Sequence, residues 1–173
     1  MDASSYPPAP AERPTAIIES GAYRARFAAD ARDLDRAQEL RYRVFNLELA
    51  EGLDASHATG RDIDAFDGQC HHLIVEHLPT HTVIGTYRMQ TDSMAGAAGG
   101  YYTDSEFDLS HLPAEVLANG IELGRACIER DHRGRQVLFL LWRGLAEYVM
   151  HNRKRFFFGC CSLTSQDTEL GWA

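Results

Sequence analysis

Glu122 is a carboxylate set among apolar and small residues, Ile121-Glu-Leu-Gly-Arg-Ala-Cys-Ile128, and Arg125 follows it three positions on. Burial in such a strand raises the pKa of a carboxyl and makes it a candidate general base toward an amine. The other reading is a structural carboxylate paired with Arg125 or Arg88. Strict alternation places positions 122 and 125 on opposite faces, so they share a site only if the strand bulges or bends. Downstream, the turn Asp131-His-Arg-Gly-Arg-Gln136 opens a helical pattern. Arg133, Gly134 and Arg135 offer guanidiniums and backbone N–H groups at a helix N-terminus, as phosphate binding requires.

Three carboxylates crowd Asp62-Ile-Asp-Ala-Phe-Asp67. The spacing is not that of a calcium loop, because Leu73 stands where the twelfth-position ligand belongs. Asp64 and Asp67 could instead orient an incoming amine or pair with arginines. Arg88 lies in a strand that otherwise packs a core and needs a carboxylate or ligand partner, with Glu122 and Asp67 as candidates. Arg41 and Phe45 are one helical turn apart and are expected to share a face. Cys70-His-His72 suggests zinc, yet the two histidines point to opposite faces of a strand and no second ligand pair has suitable spacing. No metal site is expected. Cys160 and Cys161 are adjacent in a strand, so one is expected to face the core.

These residues must be carried by elements that the hydrophobic pattern suggests. Residues 1–20, rich in Pro, Ala and Ser, read as a disordered lead before a domain over 21–173. Tyr23–Phe27 alternates as a first strand, and the positions Leu34, Ala37, Leu40, Val44 and Leu47 recur at helical spacing. Cys70–Leu78 and Thr82–Gln90 are strands joined by a short hairpin. Asp92–Gly100 reads as a mobile glycine-rich loop, and residues 112–119 hold a short helix opened by Pro113. A strand over Ile121–Glu129, a helix over about 136–151 and a strand over Phe156–Cys161 follow, with Ser165-Gln-Asp167 capping a further helix. The helix is apolar on almost every side, so it is expected to be buried, with Trp142 in the core. The order indicates an α/β or α+β fold with a mixed, mostly antiparallel sheet flanked by helices.

The 173 residues are 45% hydrophobic and carry a net charge of -8, which suits one domain and argues against a broad nucleic-acid surface. Against that acidic background Arg130, Arg133, Arg135, Arg143, Arg153, Lys154 and Arg155 cluster in one region. Such a patch fits a small anionic ligand or an acidic carrier protein, or is a solvated face. Four cysteines without a Cys-x-x-Cys pair, and a proline-rich start without an apolar leader, suggest reduced thiols in a cytoplasm. The apolar run Val137–Trp142 is too short to span a bilayer, so any membrane contact is expected to be peripheral, from the water side.

Together these segments resemble a known group. Leu40-Arg-Tyr-Arg-Val-Phe45, Asp62–Asp67, Cys70-His-His-Leu-Ile-Val75, Val83-Ile-Gly-Thr-Tyr-Arg88, Ser105-Glu-Phe-Asp-Leu-Ser110, Glu122-Leu-Gly-Arg125 and Phe158–Asp167 are similar to the ornithine-lipid type, or hemolysin-like, N-acyltransferases. These are related to the acyl-homoserine-lactone synthases and share the Gcn5-related N-acyltransferase fold. The resemblance implies transfer of a long-chain acyl group from acyl carrier protein, or acyl-coenzyme A, to the amine of ornithine or a similar amino acid, with no permanently bound cofactor. It implies catalytic roles for Glu122, Arg125 and Asp67. Arg41, Phe45, Asp64, Arg88 and Phe107 would bind the substrate, and Arg133, Gly134 and Arg135 the acyl donor. Two alternatives stay open: a synthase of an N-acyl homoserine lactone or N-acyl amino acid signal, and an inactive module that binds a carrier or partner protein.

Two departures from the pattern carry expectations. The superfamily's acetyl-coenzyme A turn has small residues where Gln136 and Leu138 stand here, and their side chains would crowd a pyrophosphate cradle. A carrier protein, with one phosphate on its pantetheine arm, fits better. Relatives also continue through another helix and further strands beyond the Ser165-Gln-Asp167 segment. The far sheet edge and the acyl tunnel are therefore expected to be incomplete, with an unpaired edge strand and exposed core surface. A truncated product, a fragment or a chain that needs a partner would each have this form.

Overall fold

The computed structural model describes residues 6–161. One six-stranded sheet runs in chain order: β1 (Ile17–Ser20), β2 (Tyr23–Phe27), β3 (His71–His77), β4 (Thr82–Thr91), β5 (Gly120–Ile128) and β6 (Phe156–Phe158). Every neighbouring pair is antiparallel except β5–β6, which is parallel. This is the mixed, mostly antiparallel sheet expected. The first strand is an addition. Ile17–Ser20 lies within the stretch read as a disordered lead, yet it pairs with β2. Alternation over four residues was too short a signal beside the prolines.

Helix α1 (Ala31–Arg41) packs on one face of the sheet and α5 (Arg135–Asn152) on the other. Asp30 caps α1, its carboxylate accepting the Asp33 N–H at 2.9 Å. Ala37, Leu40 and Val44 meet Ile74, Val83 and Cys127 on that side. On the other, Val137, Leu140, Leu141, Leu145 and Tyr148 meet Phe27, Leu73, Val75, Ile84, Met89 and Ile121. Each fully buried Leu or Ile contributes about 1.5–3 kcal/mol, so these two layers hold the sheet. Three short helices, α2 (Ser56–Thr59), α3 (Asp92–Ala98) and α4 (Ala114–Asn119), sit in the connections. The segment expected to be a mobile loop therefore contains α3, capped by the Thr91 hydroxyl. No helix among the described residues is long and apolar enough to cross a membrane.

Helix α5 corrects one expectation. It is not apolar and buried all round. Positions 137, 140, 141, 144, 145 and 148 face the sheet, while Leu138, Phe139 and Trp142 are 46%, 64% and 49% exposed. Trp142 is thus outside the core, its ring 6.4 Å from that of Phe157. A single sheet layer covers one stripe of a helix, and nothing among the described residues covers the opposite stripe. Strand β6 is also shorter than expected and ends at Phe158. Gly159 follows at φ 155°, where an added Cβ would meet the Leu123 carbonyl oxygen at 2.2 Å. Cys160 is partly buried and Cys161 exposed, so neither faces the core. The cap expected at Ser165-Gln-Asp167 lies outside the described residues.

Candidate active site

The chemistry-bearing side chains converge on the α1 face, and a bulge in β5 makes this happen. The β4–β5 register shifts between Thr86 and Arg88, and Arg125 takes the left-handed backbone with φ 49°. The extra residue reverses the alternation, so Glu122 and Arg125 project to the same side. A non-glycine residue at positive φ is uncommon and tends to mark functional segments.

Three arginines and three aspartates form a charge-balanced cluster beneath α1. Arg41 is fully buried. Its Nε donates to Asp62 Oδ1 at 2.8 Å, and its Nη1 and Nη2 donate to the two Asp67 oxygens at 2.7 Å each. Arg88 Nη1 donates to Asp64 at 2.6 Å and to Asp67 at 3.2 Å. Arg125 reaches Asp64 Oδ2 at 3.1 Å from Nη2. Burial pushes the Asp67 carboxyl up, but the hydrogen-bonded Arg41, with His72 and Arg88, outweighs it and holds the group well below the usual carboxylate range. Asp64 is also held low: burial and Asp67 raise it, Arg88 and Arg125 lower it further. The Arg88 guanidinium lies 5.7 Å from the Phe66 ring centre and 5.6 Å from that of Tyr102.

Glu122 stands apart from this cluster. Its carboxylate accepts the backbone N–H groups of Tyr102 at 3.2 Å and Thr103 at 2.6 Å. It pairs with neither Arg125 nor Arg88, and the partners of Arg88 are Asp64 and Asp67 rather than Glu122. The loop that approaches Glu122 also brings the Tyr102 ring over Arg88, so one segment joins the carboxylate to the arginine cluster.

Phe45 goes elsewhere. After Arg41 the chain continues as a π-helical turn, Tyr42–Glu48, and the wider turn rotates Phe45 away from the face Arg41 uses. Phe45 lines a cavity of about 300 Å³ with Tyr87, Ala126, Cys127, Arg133 and Leu138, at the lower end of ligand-pocket size. β6 pairs with β5 only over Gly120–Glu122. Among the described residues no strand pairs with the outer edge of the C-terminal half of β5, and the cavity lies there, with Arg133 and Leu138 of the α5 N-terminal region in its lining. Arg133 is held at its rim by Glu48, donating from Nη1 at 2.7 Å and Nη2 at 2.9 Å. Gly134 caps α5, and Arg135 is exposed on its first turn. Gln136 turns away and donates to the Ser20 carbonyl at 2.9 Å. Burial pushes the Cys127 thiol up to about 12, so it is an inert wall of the cavity. Phe107 is 62% exposed, outside both the cluster and the cavity.

Sequence reasoning passed over Asp62, although the spacing that singled out Asp64 and Asp67 contained it. It also treated His71 and His72 only as metal ligands. His71 Nε2–H donates to the Pro8 carbonyl at 2.6 Å, and its Nδ1 accepts from the Tyr148 hydroxyl at 2.8 Å. His72 Nε2–H donates to the Asp67 carbonyl at 3.2 Å. Burial lowers His71 from 6.5 to about 4 and His72 from 6.5 to about 3. With folded pKa values below the unfolded ones, both contribute stability above pH 6.5 that is lost as pH falls toward those values. Urea unfolding should therefore show a plateau near pH 7 and a loss of a few kcal/mol on the way to pH 4.5. Equal midpoints at pH 7 and pH 4.5 would show that neither imidazole is held neutral.

Comparison with known proteins identifies the family and the fold. The model of the acetyltransferase (GNAT) domain matches residues 40–143, from the end of α1 through the first half of α5. L-ornithine N(alpha)-acyltransferase of Agrobacterium fabrum is 35% identical over 86% of this chain and 53% of its own length. The protein of the same name from Rhodobacter capsulatus is 34% identical over 84% of this chain and 58% of its own. The chain thus spans about half the length of the curated relatives it matches. The crystal structure of the AHL synthase LasI superposes with a TM-score of 0.62 at 20% identity, covering 88% of this chain and 77% of that one, which is likeness of fold. The family model spans more than half of the chain, and the chain belongs to the acetyltransferase (GNAT) domain family.

Proposed function

We propose that this chain carries the transfer site of an N-acyltransferase that moves a long-chain acyl group from acyl carrier protein to the α-amine of ornithine or a similar amino acid, in the cytoplasm. The observation that carries the reading is the apolar cavity beside the β5 bulge, with its arginine rim and its place beside the N-terminal region of α5. An acyl-pantetheine arm would lie along the outer edge of β5, its phosphate toward Arg133, Gly134 and Arg135. The amine nitrogen attacks the thioester carbonyl. A C–N bond forms, the C–S bond breaks, and the departing thiolate takes up a proton. Glu122 accepts the proton that the ammonium must lose first, directly or through water. Arg41, Arg88 and Arg125, locked to Asp62, Asp64 and Asp67, hold the strand and loop that frame the amine. Leu138, on the first turn of α5, occupies a position where a pyrophosphate cradle would need a small residue, which favours a donor with a single phosphate, while Gln136, bonded to Ser20, leaves the cradle clear.

Incubation with L-ornithine and either acyl-acyl carrier protein or acyl-coenzyme A, with mass detection of N-acyl product, tests the reading. Product with the carrier-bound donor is expected. Arg133→Ala should raise the donor KM about tenfold, the loss of one charge-assisted contact, and leave the amine KM unchanged. An unaltered donor KM would remove Arg133 from the donor site.

A further inference from the structure

Gln90 is buried on β4, 1% exposed, directly across from Glu122 in the β4–β5 register. Side chains of directly opposed residues lie on one face with Cβ atoms about 4.5–5.5 Å apart. Gln90 Nε2 donates to the Gly100 carbonyl at 3.4 Å, which fixes the orientation of the amide. Its Oε1 is buried and has no hydrogen-bond partner among the described residues. A buried acceptor left without a donor costs about 1–3 kcal/mol, and such atoms are rare in native proteins. A carboxylate and an unpartnered amide oxygen side by side form an acceptor pair that a group with several N–H donors would satisfy. An ammonium has three.

We propose that Gln90 is the second ligand of the acceptor amine: its Oε1, together with the Glu122 carboxylate, holds the α-ammonium of the incoming amino acid. This rests on the reading of the site as an amine-acylating one. After Glu122 takes the proton, Oε1 still accepts from one of the two remaining N–H groups and aims the nitrogen lone pair at the thioester. The segment Gly100–Thr103 covers the pair in this structure, through the Gly100 carbonyl on Gln90 and the Tyr102 and Thr103 amides on Glu122. For the amine to enter, that segment lifts. Gly99 and Gly100, at φ 97° and 121°, form a junction that can absorb the change. A recess of about 590 Å³ lined by Gly99, Gly100 and Tyr101 adjoins it.

Calorimetric titration of L-ornithine into the donor-free protein, wild type and Gln90→Leu, tests the assignment. Wild type should bind, and Gln90→Leu should bind at least tenfold more weakly. The thermal midpoint of the variant should change little, because losing the long 3.4 Å bond from Nε2 to the Gly100 carbonyl is offset by removing a buried acceptor without a donor. A merely structural role predicts the reverse, a changed midpoint with ornithine affinity intact. Gln90→Glu keeps an acceptor and should restore binding above the pH at which both carboxylates are ionised. Equal ornithine affinity in wild type and Gln90→Leu overturns the assignment, as does the absence of binding to wild type. Gln90-dependent binding without any N-acyl product would instead overturn the acyl-transfer reading and leave the ammonium site standing.

Discussion

Glu122→Ala should lower kcat/KM for N-acylation by about 10²–10⁴-fold, the usual cost of losing a positioned general base. The alanine variant alone does not isolate proton transfer, because Glu122 also accepts the Tyr102 and Thr103 amides. Glu122→Gln separates the two functions. Its amide oxygen still accepts one loop N–H, but the group takes no proton at any working pH. Amide exchange at residues 102 and 103 should therefore stay partly protected in Glu122→Gln and become fast in Glu122→Ala, while both variants lose turnover. A Glu122→Gln enzyme with wild-type kcat would mean that the carboxylate only anchors the loop.

Arg41→Met should destabilise the fold by about 3–5 kcal/mol, the cost of removing one partner from a buried ion cluster. Asp62 and Asp67 are 0% and 2% exposed, and the guanidinium supplies three of their hydrogen bonds. Without it, two carboxylates remain in a site that water does not reach. The replacement is close in length and apolar, so the loss comes from stranded charge rather than from a large void. Asp67 supplies a check by pH. Its folded pKa is depressed, so its contribution is present above the unfolded carboxylate value and disappears as pH falls below it. In wild type this acid limb follows the histidine-linked loss, at lower pH. In Arg41→Met it should vanish, since Asp67 loses its main partner. A loss below about 1 kcal/mol in urea unfolding at pH 7 would mean that the cluster is hydrated and not a structural keystone.

Much of the site is legible in the residues because charge and burial constrain each other. An arginine inside an apolar strand, three aspartates in six positions and an arginine on a buried helix must find one another, since each alone would be an unpaired buried charge. Arg41, Asp64, Asp67, Arg88 and Arg125 do meet. The partnering was legible in part. Of the two candidate partners of Arg88, Asp67 accepts from it at 3.2 Å and Glu122 does not, while its shortest bonds are to Asp64. Sequence spacing identifies a set of ions, whereas the hand of each loop decides which pair forms.

Phe45 and Glu122 mark the other limit. Regular helical spacing put Phe45 on the same face as Arg41, and the π-helical turn sent it to the cavity instead. A change in local helical pitch leaves no composition signal. For Glu122 the condition, a bulge, was legible, but not its presence. That depends on whether β4 and β5 pair with one residue to spare, a property of two distant segments at once.

By itself the sequence determined the order of elements, the apolar stripes and the inventory of ions, because periodicity and the cost of burying charge act locally or on residue type alone. Only the tertiary structure decided that Glu122 and Arg125 face one side and that Gln90 stands across from the candidate base, and, among the described residues, that β5 is unpaired beyond Glu122, that the Gln90 acceptor has no donor and that one stripe of α5 is uncovered. These follow from register and layer contacts, where a shift of one residue reverses every side chain of a strand.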